Sequence, residues 1–158
     1  MPRVFVTRIL PGDAVERLRE HADVDVWPDE LPPPYETLRE RVADCDGLIS
    51  LLTDRVDAPL IGAAPRLRVI SNVAVGYDNI DVAAATGRRI PVGNTPGVLT
   101  ETTADLAWAL MLATARRIPE AERFVRDGRW KTWDPRLLLG YDVHGATLGI
   151  VGFGAIGR

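Results

Sequence analysis

The sequence predicts an α/β protein: a flavodoxin-like, parallel-sheet domain followed by the start of a Rossmann-type dinucleotide-binding domain. In the first hundred residues, short apolar segments alternate with helix-like segments. This alternation favours a parallel sheet with right-handed crossovers. An alanine- and leucine-rich segment follows, and the chain then reaches an apolar run with a G-x-G-x-x-G pattern over 152–157. A strand leading into such a glycine turn is typical of a dinucleotide site.

Five short apolar segments are predicted to be strands. They span 4–7, 24–27, 48–52, 67–71 and 90–92. The fourth is nearly all apolar, which is typical of a strand buried within a parallel sheet. Asn94-Thr95-Pro96-Gly97 is predicted to be a hinge, so we expect a first domain over 1–98 and a second over 99–158.

Helices are predicted between these strands. The first opens after Gly12 and Asp13, and we expect Ala14, Val15 and Leu18 to face inward. The others are predicted over 35–42, where Leu38 and Val42 share a face, over 59–64, and over 81–86, with Asp81 as the cap.

The second half is predicted to begin with a long helix. Thr102 to Asp105 fits a capping box with Thr102 as the N-cap. Residues 106–115 are apolar on almost every side, so this helix is expected to be buried. A more polar helix is predicted from Pro119 to about Asp127, before a loop over 129–146 that carries two tryptophans.

Composition limits the function classes. The 158 residues carry a net charge of −3, and acids interrupt the basic stretch over 116–131, so we expect no nucleic-acid partner. The single cysteine, Cys45, excludes an internal disulfide and is expected to be a buried, inert thiol. No cluster indicates a metal site. The longest apolar run, 106–113, is too short to span a membrane, and no signal peptide is evident, so we expect a cytoplasmic protein.

The glycine pattern predicts a phosphate-binding turn. Residues 148–151 are expected to form a buried strand. Gly152 would make the tight turn, and Gly154 would let a pyrophosphate approach the backbone. Gly157 would let the following helix pack closely on the preceding strand. The same pattern also occurs in ordinary glycine-rich turns, and the strand predicted before it favours the dinucleotide site. The acidic residue that would distinguish NAD from NADP is expected about 20 residues further on, so that choice stays open.

A second constellation spans 72–81, at the carboxyl end of the fourth predicted strand. Ligands bind outside the carboxyl ends of strands in open α/β sheets. Gly76 permits close backbone approach, so nearby amides could bind a carboxylate. The alternative interpretation is a structural turn in which Asp81 only caps the following helix.

Together with Asn94-Thr95-Pro96 and the segment that follows it, these motifs resemble the D-isomer-specific 2-hydroxyacid dehydrogenases. The similarity is greatest to their glyoxylate and hydroxypyruvate reductase branch. It covers the whole chain, and the motifs that carry it are Val4-Phe5-Val6-Thr7-Arg8, Leu51-Leu52-Thr53-Asp54, Val75-Gly76-Tyr77-Asp78, Asn94-Thr95-Pro96 and Thr147-Leu148-Gly149-Ile150-Val151-Gly152-Phe153-Gly154.

The resemblance implies a substrate domain over 1–98 and a Rossmann domain that binds NAD or NADP. It implies that the Val75 and Gly76 amides hold the carboxylate of a small 2-oxo acid, with Leu51 and Leu52 walling the pocket. Thr103 would meet the cofactor near the nicotinamide or pyrophosphate. The turn that contacts the pyrophosphate would comprise Gly152, Gly154, Ala155, Ile156 and Gly157. The helices over 102–127 and the tryptophan loop would form a homodimer interface.

No catalytic residue is assigned. The arginine, glutamate and histidine of the family lie in its later half, and none can be located here. His144 precedes the glycine turn and, like His21, is expected to be exposed. We therefore expect the amino-terminal part of a reductase. The alternatives are a truncated chain that only folds or dimerises, and a family member used as a regulatory, corepressor-like binding protein.

Residues 1–158 alone are expected to show no reductase activity, because no group is in place to orient the carbonyl and donate a proton. The measurement is the absorbance of NADH or NADPH during incubation with glyoxylate, against a blank without protein. Turnover from material whose intact mass confirms its length would contradict this prediction. The proton donor would then be sought among His144, His21 and Tyr77.

Overall fold

The computed structural model describes residues 1–158. The chain divides into two compact units, Met1–Val98 and Leu99–Arg158. No helix in it combines the length and the apolar character needed to cross a bilayer.

The first unit contains one sheet of five strands in the order β2-β1-β3-β4-β5. All four pairings are parallel, and the order is that of flavodoxin-like folds. The strands are β1 (Arg3–Val6), β2 (Asp23–Val26), β3 (Gly47–Leu51), β4 (Val69–Val73) and β5 (Val92–Gly93). The predicted fold class is confirmed, although β4 and β5 begin two residues later than expected.

Four helices connect the strands: α1 (Ala14–Arg19), α2 (Tyr35–Val42), α3 (Ala58–Ala63) and α4 (Val82–Gly87). The carboxylate of Asp81 caps α4 by accepting a hydrogen bond from the Ala84 amide at 2.9 Å, as predicted. Asp57 caps α3 in the same way, with the Leu60 amide at 3.0 Å. These carboxylates satisfy amides that would otherwise be unpaired at the helix starts.

The core of this unit lies between the sheet and its helices. Its fully buried side chains include Phe5, Leu38, Leu48, Leu60 and Ile70. Cys45 lies within this cluster, as expected for an inert thiol, and burial raises the pKa of its thiol.

Two burial expectations in this unit were wrong. Ala14 is exposed and Leu18 only half-buried, because α1 is a short helix and only Val15 faces the core. β4 is not buried throughout: Ile70 and Asn72 are fully enclosed, whereas Val69 and Val73 are 44% and 40% exposed. The side chains of β4 therefore alternate between a covered and an open face.

The second unit contains α5 (Thr100–Ala115) and α6 (Ile118–Arg126). Thr102 is not the N-cap, so the predicted capping box was wrong. Leu99 holds that position, and the Thr102 hydroxyl donates a hydrogen bond to the Leu99 carbonyl oxygen at 3.3 Å. Such back-bonding is what a threonine does inside a helix.

The expected burial of α5 and the expected strand over 148–151 were also wrong. No residue of α5 is buried, and Leu106, Trp108 and Leu110 are 57%, 52% and 59% exposed. Residues 148–151 form no strand, and Val151 is fully exposed. A strand requires a partner for its backbone groups, and this unit contains no other strand.

The corner between the two helices anchors the tryptophan loop. Arg117 adopts a left-handed conformation (φ 54°) between α5 and α6. The Tyr141 amide donates to the Ala115 carbonyl at 2.7 Å. A Cβ added at Gly140 would clash with the Ala115 and Arg116 backbone. Glycine is therefore required where this loop crosses the end of α5.

Ile70→Ala is expected to lower the free energy of unfolding of the first unit by about 2–5 kcal/mol, because it leaves a cavity in the core. Val69→Ala is the matched control, since its side chain is 44% exposed on the same strand, and should cost less than about 1 kcal/mol. Urea unfolding followed by circular dichroism measures both. Equal losses would contradict the assignment of the two faces of β4.

Candidate functional site

The candidate substrate site lies at the carboxyl edge of the sheet. β3 and β4 pair in register from Gly47 opposite Val69 to Leu51 opposite Val73. Parallel strands end at the same edge, so the loop after Leu51 and the loop after Val73 emerge side by side. Two predicted features, Leu52 and the Val75–Gly76 segment, lie on these neighbouring loops.

The backbone of the loop after β4 is fixed through its carbonyl groups. The Ala74 carbonyl accepts from the Thr95 amide at 2.9 Å. The Val75 carbonyl accepts from Asn94 Nδ2 at 2.7 Å, and the Gly76 carbonyl from Asn72 Nδ2 at 2.9 Å. The amides of Val75 and Gly76 donate no hydrogen bond within the chain. They are therefore available to an anion.

The loop after β3 is anchored by the buried carboxylate of Asp54. Asp54 Oδ2 accepts from the Leu51 amide at 2.8 Å and from the Thr7 hydroxyl at 2.5 Å. Arg8, whose side chain is only 11% exposed, forms an ion pair with Asp54 Oδ1 at 3.5 Å. This anchoring leaves Leu52, 66% exposed, at the loop surface.

A pair of side-chain amides joins the two loops. Asn79 Nδ2 donates to the carbonyls of Leu51, at 3.1 Å, and Asp54, at 2.9 Å. Asn79 Oδ1 accepts from Asn72 Nδ2 at 3.1 Å. Asn72 is fully buried, and its Oδ1 accepts from the Ser50 hydroxyl at 2.9 Å. Both loops are therefore tied to one buried polar network.

Sequence reasoning missed the roles of these supporting residues. Asn72, Asn79, Asp54 and Arg8 lie within the motifs quoted above, but no local spacing indicates which carbonyl or carboxylate each would meet. The one signal in the sequence for these roles was that polar residues occur at or after the ends of the predicted strands. Such groups require partners, and parallel strands deliver them to the same edge.

A groove of about 370 Å³ lies beside this network. Its lining includes Thr53, Asp54, Asp57 and Asp78–Asp81. Burial of the Asp57 carboxyl acts to raise its pKa, but hydrogen bonds from Tyr35 and the Leu60 amide, together with Arg55, outweigh it and leave the pKa below its usual value. The Tyr35 hydroxyl donates to Asp57 at 2.6 Å, which raises the pKa of Tyr35.

The candidate phosphate-binding turn lies in the second unit. Gly152 has φ +93°, a conformation that strongly favours glycine. A Cβ at Gly157 would clash with the Gly152 carbonyl, whereas a Cβ at Gly154 would meet nothing within 4 Å. The first and third glycines thus shape the turn, and the second leaves its backbone open to approach. This division of roles fits a pyrophosphate.

A groove of about 370 Å³ adjoins this turn. It is lined by Ala104, Trp108 and Met111 of α5, by residues 148–152, and by Ile156 and Gly157. Thr103 is exposed in the first turn of α5 and is not among the lining residues. Ala155 is also exposed in the turn. His144 and His21 are exposed, as predicted.

The first unit is an open α/β sheet. The Val75 and Gly76 amides, which donate no hydrogen bond, lie at the carboxyl edge, where sheets of this class bind their ligands. Residues 4–149 match the family described as D-isomer specific 2-hydroxyacid dehydrogenase, catalytic domain, and the chain belongs to this family. The predicted resemblance is confirmed.

Three relatives illustrate the match. A glyoxylate reductase from Korarchaeum cryptofilum is 59% identical over 99% of this chain and 47% of its own length. The crystal structure of the TT0316 protein from Thermus thermophilus superposes with a TM-score of 0.93, at 51% identity, covering 98% of this chain and 50% of that one. An acyclic imino acid reductase in complex with NADPH and D-Arg has a TM-score of 0.78 at 25% identity, covering 98% and 50%. The chain spans about half the length of the curated relatives it matches.

Asp57→Asn should make the first unit less stable at neutral pH and remove part of its acid sensitivity. A depressed pKa means that the charged carboxylate contributes stability above the unfolded value of about 3.9, and that this contribution is lost as the pH falls through the folded value. The difference in unfolding free energy between wild type and variant should therefore be constant above about pH 5 and shrink below about pH 4.

The matched control is Tyr35→Phe, which removes one donor to Asp57 while keeping the ring. It should reduce the acid-dependent loss without abolishing it. Urea unfolding at a series of pH values measures all three proteins. A difference between wild type and Asp57→Asn that stays constant down to about pH 2, below the usual range of a carboxyl pKa, would contradict the assignment.

Proposed function

We propose that this chain supplies the substrate-binding loops and the phosphate-binding turn of an NAD- or NADP-dependent reductase. The substrate is a small 2-oxo acid, glyoxylate or hydroxypyruvate, and the product is the 2-hydroxy acid. The observation that carries the proposal is the pair of free amides at Val75 and Gly76, placed at the carboxyl edge of the sheet. Similarity to glyoxylate reductases at 59% and 55% identity supports the choice of substrate.

In this proposal the substrate carboxylate accepts hydrogen bonds from the Val75 and Gly76 amides. Backbone donors held in a fixed direction bind a charged acceptor strongly, because charge-assisted hydrogen bonds are about twice as strong as neutral ones. Leu52, exposed on the adjacent loop, supplies an apolar wall. Holding the carboxylate at one end fixes the direction in which the carbonyl of a two- or three-carbon acid points.

The glycine turn of the second unit is the proposed cofactor site. Gly152, Gly154, Ala155, Ile156 and Gly157 would hold the pyrophosphate, with Thr103 meeting the cofactor on α5. The openness of the backbone at Gly154 supports this fit. A bound reduced nicotinamide would supply the hydride that adds to the carbonyl carbon, while a proton goes to the carbonyl oxygen.

We further propose a cytoplasmic homodimer. Supporting observations are the buried free thiol of Cys45 and the exposed aromatic and aliphatic side chains of the second unit. Trp108, Trp130 and Trp133 are 52%, 57% and 77% exposed. Exposed aromatic side chains of this kind are typical of protein interfaces, where tryptophan is enriched.

Gly76→Val tests the carboxylate site. A Cβ at Gly76 meets nothing within 4 Å, and its φ lies outside the left-handed region, so the fold should tolerate the change. The branched side chain would obstruct approach to the amides. We expect oxamate, a stable carboxylate next to a carbonyl, to bind at least tenfold more weakly, about 1.4 kcal/mol. In an active enzyme containing this chain, the KM for glyoxylate should rise similarly.

The measurement is a titration of the ¹⁵N-labelled chain with oxamate, followed through the amide resonances of Val75 and Gly76. Gly62→Ala is the matched control, because Gly62 lies on α3 and also has open space at its Cβ. Shift changes confined to other loops of the wild type, or equal affinity in Gly76→Val, would place the carboxylate elsewhere. Cofactor binding without any oxamate binding would favour a regulatory NAD-binding protein.

A further inference from the structure

Three consecutive peptide groups in the loop after β4 are each held through their carbonyl oxygen by a different donor. Thr95 holds the Ala74 carbonyl through its backbone amide at 2.9 Å. The other two donors are side-chain amides: Asn94 Nδ2 reaches the Val75 carbonyl at 2.7 Å, and Asn72 Nδ2 reaches the Gly76 carbonyl at 2.9 Å.

Peptide planarity turns these carbonyl contacts into a constraint on the amides. In a trans peptide, the C=O of one residue and the N–H of the next point in opposite directions within a rigid plane, and this chain contains no cis bond. Holding the Val75 carbonyl therefore fixes the Gly76 N–H, and holding the Gly76 carbonyl fixes the Tyr77 N–H. The N–H groups of Val75, Gly76 and Tyr77 all lack an acceptor within the chain.

We propose that Asn94 and Asn72 are positioning residues of the anion site, acting through the carbonyls of Val75 and Gly76 to aim the Gly76 and Tyr77 amides. The proposal rests on the proposed function, since it assigns these amides to the substrate carboxylate. It adds the Tyr77 amide as a third donor. A carboxylate offers about four lone-pair sites on two oxygens, so it has the capacity for all three.

The two asparagines are held to different degrees. Asn72 is fully buried; its Oδ1 accepts from Ser50 at 2.9 Å, and its Nδ2 also reaches Asn79 Oδ1 at 3.1 Å. Asn94 is half-buried, and its contact with the Val75 carbonyl is the one hydrogen bond of its side chain. Removing the Asn94 amide therefore releases one peptide plane while leaving the buried network in place.

Asn94→Ala is the test variant, and Asp81→Ala is its matched control. Asp81 lies in the segment that follows the loop, but its carboxylate caps α4 at the Ala84 amide, so its loss removes a hydrogen bond without releasing the loop carbonyls. The first measurement is the residual dipolar coupling of each loop N–H in the ligand-free chain, which reports the direction of that bond. The second is the affinity for oxamate from the amide titration.

In Asn94→Ala we expect the Gly76 coupling to change while the Val75 coupling, fixed through Thr95, stays as in wild type. Oxamate should bind at least threefold more weakly. Asp81→Ala should match wild type in both measurements. An unchanged Gly76 coupling, or oxamate affinity equal to wild type, would overturn the inference. A wild-type chain that binds no oxamate, while the Gly76 coupling still changes in Asn94→Ala, would refute the proposed function and leave Asn94 as the residue that orients this peptide.

Discussion

The parallel pairing of β3 with β4 is the constraint on which the rest of the first unit depends. It aligns the last residues of the two strands, Leu51 and Val73, so that the loops carrying Leu52 and Val75–Gly76 begin side by side. The Asn72–Asn79 amide pair can bridge these loops because the strands have already brought them together. A shift of the register by one residue would move Asn72 to the other face of the sheet, and the network would lose its centre.

The sequence was sufficient to predict the elements whose formation depends on local pattern and burial. The five-stranded parallel sheet, the bounds of α2 and the Asp81 cap all follow from short-range signals: an apolar run, two core residues four apart, and a carboxylate before a helix. The Val75–Gly76 segment stays a prediction as an anion site; its place at the carboxyl edge of the sheet follows from a glycine after a strand in a parallel sheet. The donors that hold this segment were not predicted, since Asn94 and Val75 meet only through the tertiary fold.

Two of the wrong predictions in the second unit, the burial of α5 and the strand over 148–151, share one physical cause: both required partners outside the local segment. The apolar surface of α5 predicts burial, but a helix is buried only where other elements pack against it. No element of the second unit covers Leu106 and Leu110, which remain exposed. Residues 148–151 have the composition of a strand, but a strand forms only where another backbone accepts and donates its hydrogen bonds. Thr102 has a good N-cap side chain, yet the helix begins earlier and its hydroxyl bonds back to Leu99.

The two candidate sites expose backbone amides by different means. In the glycine turn, the amides are exposed because the glycines have no side chains. Gly152 adopts the left-handed conformation, Gly157 packs against the Gly152 carbonyl, and the backbone at Gly154 is open. The loop after β4 contains one glycine. Its amides are exposed because side-chain donors hold the carbonyls on the opposite side of each peptide. An amide that is held in place loses little conformational freedom when it binds an anion, so the ordering cost is met during folding and not during binding. The asparagines behind the loop are therefore as much a part of the proposed anion site as the amides that would face the ligand.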